Sequence, residues 1–237
     1  MIGPRPAVLV LVAGTGTDVG KTWVGAGLLE AWRAAGISVA ARKPAQSFTP
    51  GSGPTDAEVL GGASGEDPAT VCPAARSYAV ALAPPMAAAA LGLPSPTIAE
   101  LIGELAWPAP AVGVGLVETA GGVRSPQAED GDVIDIASAI EPDSIVLVAD
   151  AGLGAVNAVR LSLAALTDVV RDGPSPLPVF VVLNRFDASS ELHRRNIAWL
   201  RDRDHARVTE GTASGVAALA GRLAAAAAGA EDAPSYD

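Results

Sequence analysis

Short apolar runs alternate along this chain with stretches of helical periodicity, and the alternation predicts the fold. Residues 7–13 are all apolar and predict a first, buried β-strand. Helical periodicity follows from Lys21 through Leu28, Leu29 and Trp32 to about Ala35, with Gly36 as its stop signal. Residues 37–42 predict a second strand, so the chain opens with a strand, helix and strand of the parallel kind. Further strands are predicted at 112–117, 145–149 and 179–183, the last being the final clear strand. Helices are predicted from Asp56, at 84–91 and 97–105 on either side of a Gly-Leu-Pro-Ser-Pro break, from about 155 to 170, at 191–203 and at 215–228. Residues 46–54, rich in Ser, Gly, Pro and Thr, predict a mobile loop. Strands that end in polar or glycine-rich turns and are joined by helices describe an α/β fold, a doubly wound, mostly parallel sheet flanked by helices. Residues 1–228 form a single predicted domain without internal repeat, and 229–237 carry no core pattern and are expected to be a disordered tail.

Composition narrows the class of partner. Of the 237 residues, 49% are hydrophobic but only 4% aromatic, so the core is small and aliphatic, which suits close packing of helices on a sheet. No run reaches the ~18 uncharged apolar residues of a membrane span, and no basic-then-apolar leader opens the chain, so the cytoplasm is the expected compartment. Cys72 is the single cysteine, which excludes an internal disulfide and a cysteine-clustered metal site; it reads as a small apolar filler. With 16 basic and 26 acidic residues the net charge is −10, which disfavours nucleic acid and anionic membranes and favours small-molecule partners.

The end of the first predicted strand carries the chemistry. There the chain reads Gly14-Thr15-Gly16-Thr17-Asp18-Val19-Gly20-Lys21-Thr22. Glycines between strand and helix let successive N–H groups converge on phosphate oxygens, Lys21 adds a mobile cation, and Thr22 a hydroxyl suited to Mg2+. Thr15, Gly16, Thr17, Asp18, Val19, Gly20, Lys21 and Thr22 are therefore the expected nucleotide phosphate site. Thr15 stands where the generic G-x-x-x-x-G-K-[ST] pattern has its first glycine. Lys43 closes the second strand at the same sheet edge, so two lysines are expected to meet one ligand, as phosphoryl transfer requires. With Thr22, Asp56 and Glu118 complete an oxygen shell for Mg2+, although Asp56 also suits a helix N-cap. Glu118 ends a buried strand, where a carboxylate is costly unless it meets a cation. Gly121 and Gly122 let the backbone approach a ligand. Glu129, Asp130, Asp132 and Asp135 read as capping and charging a helix N-terminus. His193 and His205 read as surface residues, and Trp23, Trp32, Trp107 and Trp199 as packing residues.

In this order the loop, Lys43-Pro44-Ala45-Gln46-Ser47, Val117-Glu118-Thr119-Ala120-Gly121-Gly122 and Gly152-Leu153-Gly154-Ala155-Val156-Asn157 resemble dethiobiotin synthetase, a branch of the P-loop nucleoside triphosphatases, over about residues 8–200. The displaced first glycine is that family's own form of the loop. The resemblance implies an ATP-dependent ligase of biotin biosynthesis that converts 7,8-diaminononanoate, CO2 and ATP to dethiobiotin, ADP and phosphate. It implies catalytic roles for Lys21 and Lys43 and Mg2+ held by Thr22, Asp56 and Glu118. Thr17, Lys43, Ser47, Gly121 and Gly122 would meet the substrate. It further implies a homodimer with an interfacial site, in which Gly154, Ala155, Val156 and Asn157 offer a helix start to the substrate carboxylate. Asn184 would read the adenine edge and Asn196 would lie near the substrate tail. The chain departs from the family pattern at Thr119, where glycine is usual, at Phe48, and in residues 205–215, where the usual proline-containing base segment is not recognisable. Two other classes share part of the pattern: an amide-forming ligase of the cobyrinic acid synthetase type, and a nucleotide-dependent regulatory module without catalysis.

Overall fold

The computed structural model describes residues 1–169 and 177–227. In chain order the elements are β1 (Val8–Gly14), α1 (Lys21–Ala34), β2 (Val39–Arg42), β3 (Gln46–Ser47), α2 (Asp56–Ser64), α3 (Pro68–Val71), β4 (Ser77–Tyr78), α4 (Pro84–Ala90) and α5 (Ile98–Gly103). They continue with β5 (Val114–Glu118), α6 (Val133–Ile140), β6 (Ser144–Asp150), α7 (Ala155–Leu166), β7 (Val179–Asn184), α8 (Glu191–Asp202), β8 (Arg207–Gly211) and α9 (Ala213–Ala227). Six strands form one sheet in the order β2-β5-β1-β6-β7-β8, with every pairing parallel. From β1 the chain first runs to one side, through β2 and β5, and then to the other, so the edge beyond β1 is the switch point where ligands bind in such sheets.

The pleat of β1 divides the core. Val8, Val10 and Val12 face Val24, Leu28 and Trp32 of α1, Leu60 of α2, and Leu219 and Leu223 of α9. Leu9, Leu11 and Ala13 face Ile136 and Ile140 of α6, Val159 of α7, and Ile197 and Leu200 of α8. Burying both faces is what an all-parallel sheet requires, and it explains why β1 and β6 are nearly continuous apolar runs. A smaller cluster of Ala45, Tyr78, Ala87, Ala88 and Leu101 seats α4 and α5 against the β3–β4 pair.

Three expectations change. Gln46 and Ser47, expected in a mobile loop, form β3, because the buried Gln46 amide donates to Ser77 Oγ at 2.7 Å and its oxygen accepts from Ala57 N–H at 2.9 Å. The strand at 179–183 is not the last: β8 follows, with one fully apolar side chain, Val208, and an edge position that leaves its other residues no need of an apolar run. The second strand begins at Val39, not Ile37. Three of the four acidic residues cap helices: Asp132 caps α6 and Asp135 closes its capping box, while Asp130 accepts from Ile98 N–H at the start of α5; Glu129 engages through its backbone N–H, to the Pro96 carbonyl. His205 is exposed and His193 half-buried. Trp32 and Trp107 pack in the core; Trp23 and Trp199 are about half exposed. Val170 and residues 228–237, including the expected tail, lie outside the described residues.

Candidate active site

β1 delivers Gly14 to the carboxyl edge of the sheet between β5 and β6. Thr15 N–H then donates to the Val148 carbonyl of β6 at 2.9 Å, and Lys21 Nζ folds back onto the Gly16 carbonyl at 3.0 Å. Asp18, at φ 57°, and Gly20, at φ 91°, take left-handed conformations. The Asp18 carbonyl accepts from Arg185 Nη2 at 2.6 Å, and the Val19 carbonyl from Asn184 Nδ2 at 2.9 Å. Only glycine fits at position 20, where a Cβ would sit 1.9 Å from Asn184 Nδ2. The turn after β5 packs directly on this loop, since a Cβ at Gly122 would lie 3.1 Å from the Thr15 carbonyl.

Beside the loop, four side chains from four elements converge. Lys43 Nζ lies 2.7 Å from Glu118 Oε1 and 2.8 Å from Asp56 Oδ2. Thr22 Oγ1 lies 2.7 Å from Asp56 Oδ1 and 2.9 Å from Glu118 Oε1. Lys43 is not a solvated strand end: it is 1% exposed and Glu118 is fully buried. Burial works against the charge on Lys43, but the facing Glu118 and Asp56 carboxylates outweigh it and hold its pKa well above the ordinary lysine value. Burial likewise opposes ionisation of Asp56, yet Lys43 and Thr22 hold its carboxyl below the usual carboxylate range. Lys21 goes the other way: burial, and then the Lys43 charge beside it, lower its pKa. Burial pushes the nearby Cys72 thiol up to about 12, which leaves it an inert filler.

The donor set suits Mg2+. Two carboxylates and one hydroxyl converge, all hard oxygens, and the buried Glu118 Oε2 has no hydrogen-bond partner among the described residues. No group of three His, Cys, Asp or Glu side chains converges among the described residues, at this site or away from it. A nucleotide-bound Mg2+ needs only one or two protein carboxylates, the phosphates and water supplying the rest.

Lys21, Thr22, Lys43 and Asp56 floor a cavity of about 770 Å3, while the fully buried Glu118 is not part of its lining. Thr17, Asp18, Gly20, Lys21, Thr22, Lys43, Ser47, Asp56 and Gly121 line it, and so does Phe48. Ser47 Oγ donates to the Leu82 carbonyl at 2.5 Å across the mouth. Thr119 does not enter the cavity: it is fully buried, with N–H and hydroxyl both directed to the Val12 carbonyl. Asn184, expected to read the adenine edge, sits instead behind the phosphate loop, 5% exposed, outside the cavity lining and with its Nδ2 given to the Val19 carbonyl. Gly154, Ala155, Val156 and Asn157 open α7 at the same sheet edge without lining the cavity. Asn196 Nδ2 is committed to the Ala151 and Gly152 carbonyls at 2.9 and 3.0 Å, which fixes the turn before α7. Arg185, also on the cavity wall, carries no sequence signal beyond its place after Asn184.

A glycine-rich loop after the first strand of a parallel sheet, with two lysines and an acid pair beneath it, defines a P-loop nucleotide-dependent enzyme. The fold agrees. Cell division protein FtsY of Thermotoga maritima, 15% identical, superposes with a TM-score of 0.52 over 94% of this chain and 70% of that one. The family described as AAA domain matches residues 9–208. The ATP-dependent dethiobiotin synthetase of Rhodococcus jostii (strain RHA1) is 38% identical over 67% of this chain and 68% of its own length. That of Anaeromyxobacter dehalogenans (strain 2CP-C) is 39% identical over 82% of this chain and 86% of its own. This chain belongs to the dethiobiotin synthetase family of ATP-dependent, C–N bond-forming ligases. The amidating-ligase and regulatory-module alternatives gain no support from these relatives.

Proposed function

We propose that this chain converts 7,8-diaminononanoate, CO2 and ATP to dethiobiotin, ADP and phosphate, and that the cavity over Lys21 and Lys43 is where it does so. The observation that carries the assignment of the site is the meeting of two buried lysines, one from the phosphate loop and one from the end of β2, on one cavity floor. An amine and CO2 give a carbamate; a carbamate oxygen attacks the γ-phosphorus with loss of ADP; the second amine then attacks the carbamoyl carbon and expels phosphate. Charge builds on the transferred phosphoryl oxygens in the second step, where fixed cations in a water-poor site stabilise it most.

The roles divide accordingly. Backbone N–H groups of residues 16–20 and Lys21 hold the phosphates, the Thr15 N–H being committed to the Val148 carbonyl. Lys43 holds the carbamate oxygen against the γ-phosphate, and Thr17, Ser47, Gly121 and Gly122 position the diamine. Thr22, Asp56 and Glu118 would hold Mg2+, which when bound neutralises phosphate charge. Asn184 contributes by holding the loop at Val19. The start of α7, Gly154 to Asn157, offers N–H groups to the substrate carboxylate from the partner subunit of a homodimer.

We take residues 1–228 as one functional domain and the cytoplasm as its compartment. No helix among the described residues is long and apolar enough to cross a membrane.

The test is phosphate release. With diaminononanoate, bicarbonate, Mg2+ and ATP, phosphate and dethiobiotin should appear in equal amounts and only when the diamine is present; hydrolysis independent of the diamine would overturn the assignment.

A further inference from the structure

A loop that directs its N–H groups at a phosphate has to turn carbonyls away from it, and those carbonyls need donors of their own. Two consecutive residues at the end of β7 supply them. Asn184 Nδ2 donates to the Val19 carbonyl at 2.9 Å, and Arg185 Nη2 to the Asp18 carbonyl at 2.6 Å. Arg185 Nη1 also donates to Asp150 Oδ2 at 2.7 Å, at the end of β6. Asp150 is itself anchored, its Oδ1 accepting from Gly152 N–H at 2.8 Å.

Asp18 and Arg185 both lie in the left-handed region, at φ 57° and 55°. Neither is glycine, and such conformations persist only where the surroundings over-determine them. Here each secures the other through a single hydrogen bond, and the Asp150 carboxylate holds the far side of the guanidinium. A planar fork with several N–H groups can meet a carbonyl and a carboxylate at once, which a lysine ammonium does less well. Among the described residues Arg185 makes no ion pair with Asp56 or Glu118.

We propose that Arg185 is a positioning residue for ATP: clamped by Asp150, it holds Asp18 in the left-handed turn on which the phosphate cradle depends. The inference rests on the reading that Gly14 to Thr22 bind the nucleotide phosphates. Because Arg185 acts through the loop, its loss should weaken any polyphosphate, whereas a residue touching ribose or base would matter only for the nucleoside part.

The experiment measures the affinity of the full chain for ATP and for inorganic tripolyphosphate by calorimetry, together with the KM for each substrate. Arg185→Met should weaken both ligands by a similar factor of about tenfold, raise the KM for ATP in step, and leave the KM for the diamine within about twofold. Arg185→Lys, which keeps the cation and one donor, should fall between wild type and Arg185→Met; if the Met variant does not fold, the Lys variant decides, and unchanged affinity overturns the clamp. Loss confined to ATP, or equal losses for ATP and diamine, also overturns it. A wild-type chain that binds neither ATP nor tripolyphosphate would instead remove the phosphate-loop reading beneath it.

Discussion

Lys43 Nζ and Glu118 Oε1 meet at 2.7 Å because their strands are in register: Arg42 of β2 pairs with Val117 of β5, and the next residue of each points its charge at the other. The pair is out of water, and its Coulombic gain does little more than offset the desolvation of two ions, so it adds little net stability. Removing one partner is a different matter, because it leaves the other charge buried and unpaired. Lys43→Met is expected to destabilise the fold by about 3–5 kcal/mol and to lower turnover by at least about 10²–10³-fold, with ATP binding still measurable. Adding Glu118→Gln should recover much of the stability and none of the turnover. Chemical denaturation and phosphate release on the single and double variants check this; recovery of turnover would remove Lys43 from the reaction.

The two lysines should separate in their response to pH. Lys43 is held above the ordinary lysine value, so its stabilising charge is fully present below pH 10.5 and is lost only as pH rises through its elevated folded pKa. Lys21 is held below 10.5 by burial and by Lys43, so its charge, and with it the attraction for phosphate, is lost first. The affinity of the free enzyme for ATP should therefore decline along a limb centred below pH 10.5, and kcat/KM for ATP should follow it. Lys21→Arg, weaker overall, keeps its charge and should show no such limb. A wild-type limb at or above the ordinary lysine value would contradict the placement of Lys21.

Glycines 20 and 62 make a matched pair of opposite expectation. A Cβ at Gly20 would collide with Asn184 Nδ2 at 1.9 Å in a backbone at φ 91°, whereas around Gly62, on the exposed face of α2, nothing lies within 4 Å. Gly20→Ala is expected to cost about 1–3 kcal/mol through strain and to displace Asn184 from Val19, so that ATP affinity falls with stability. Gly62→Ala should be neutral or add up to about 1 kcal/mol by restricting the unfolded chain. Thermal unfolding with and without ATP reads both.

The parts of this molecule that were legible in its sequence are those where one requirement acts alone. β1 must be apolar on both faces, so residues 7–13 announce a buried strand; a phosphate needs converging N–H groups, so Gly14 to Thr22 announce the loop. β8 was not legible, since an edge strand with one buried valine satisfies the sheet through its backbone. The β3 strand was hidden because the buried Gln46 amide, a long-range contact to Ser77 and Ala57, orders a segment whose composition favours a loop. Lys43, Asp56 and Glu118 could be placed at one edge from topology, but their mutual contact could not: only the register of β2 on β5 and the start of α2 bring lysine and acids within bonding distance. Arg185 left no trace, because one of its partners, the Asp18 carbonyl, is a group every residue has, and the other, Asp150, lies on a different strand brought alongside only by the β6–β7 pairing.

The partner subunit can be tested on α7. Leu153, immediately before the helix start, is 94% exposed, and Leu161, two turns along, is 65% exposed. Large aliphatic side chains this open suit a self-complementary contact, and a substrate carboxylate bound by Gly154 to Asn157 of the partner would lie beside it. Leu153→Asp should turn a dimer seen by light scattering into a monomer, with turnover lost and ATP affinity retained, since the phosphate loop belongs wholly to one chain. A second measurement asks whether the site is shared. Lys43→Ala and Asn157→Glu should each be inactive as homodimers, and mixing them should restore activity, because half of the sites in a mixed dimer then carry neither change. Mixtures as inactive as their components would place the whole site within one subunit.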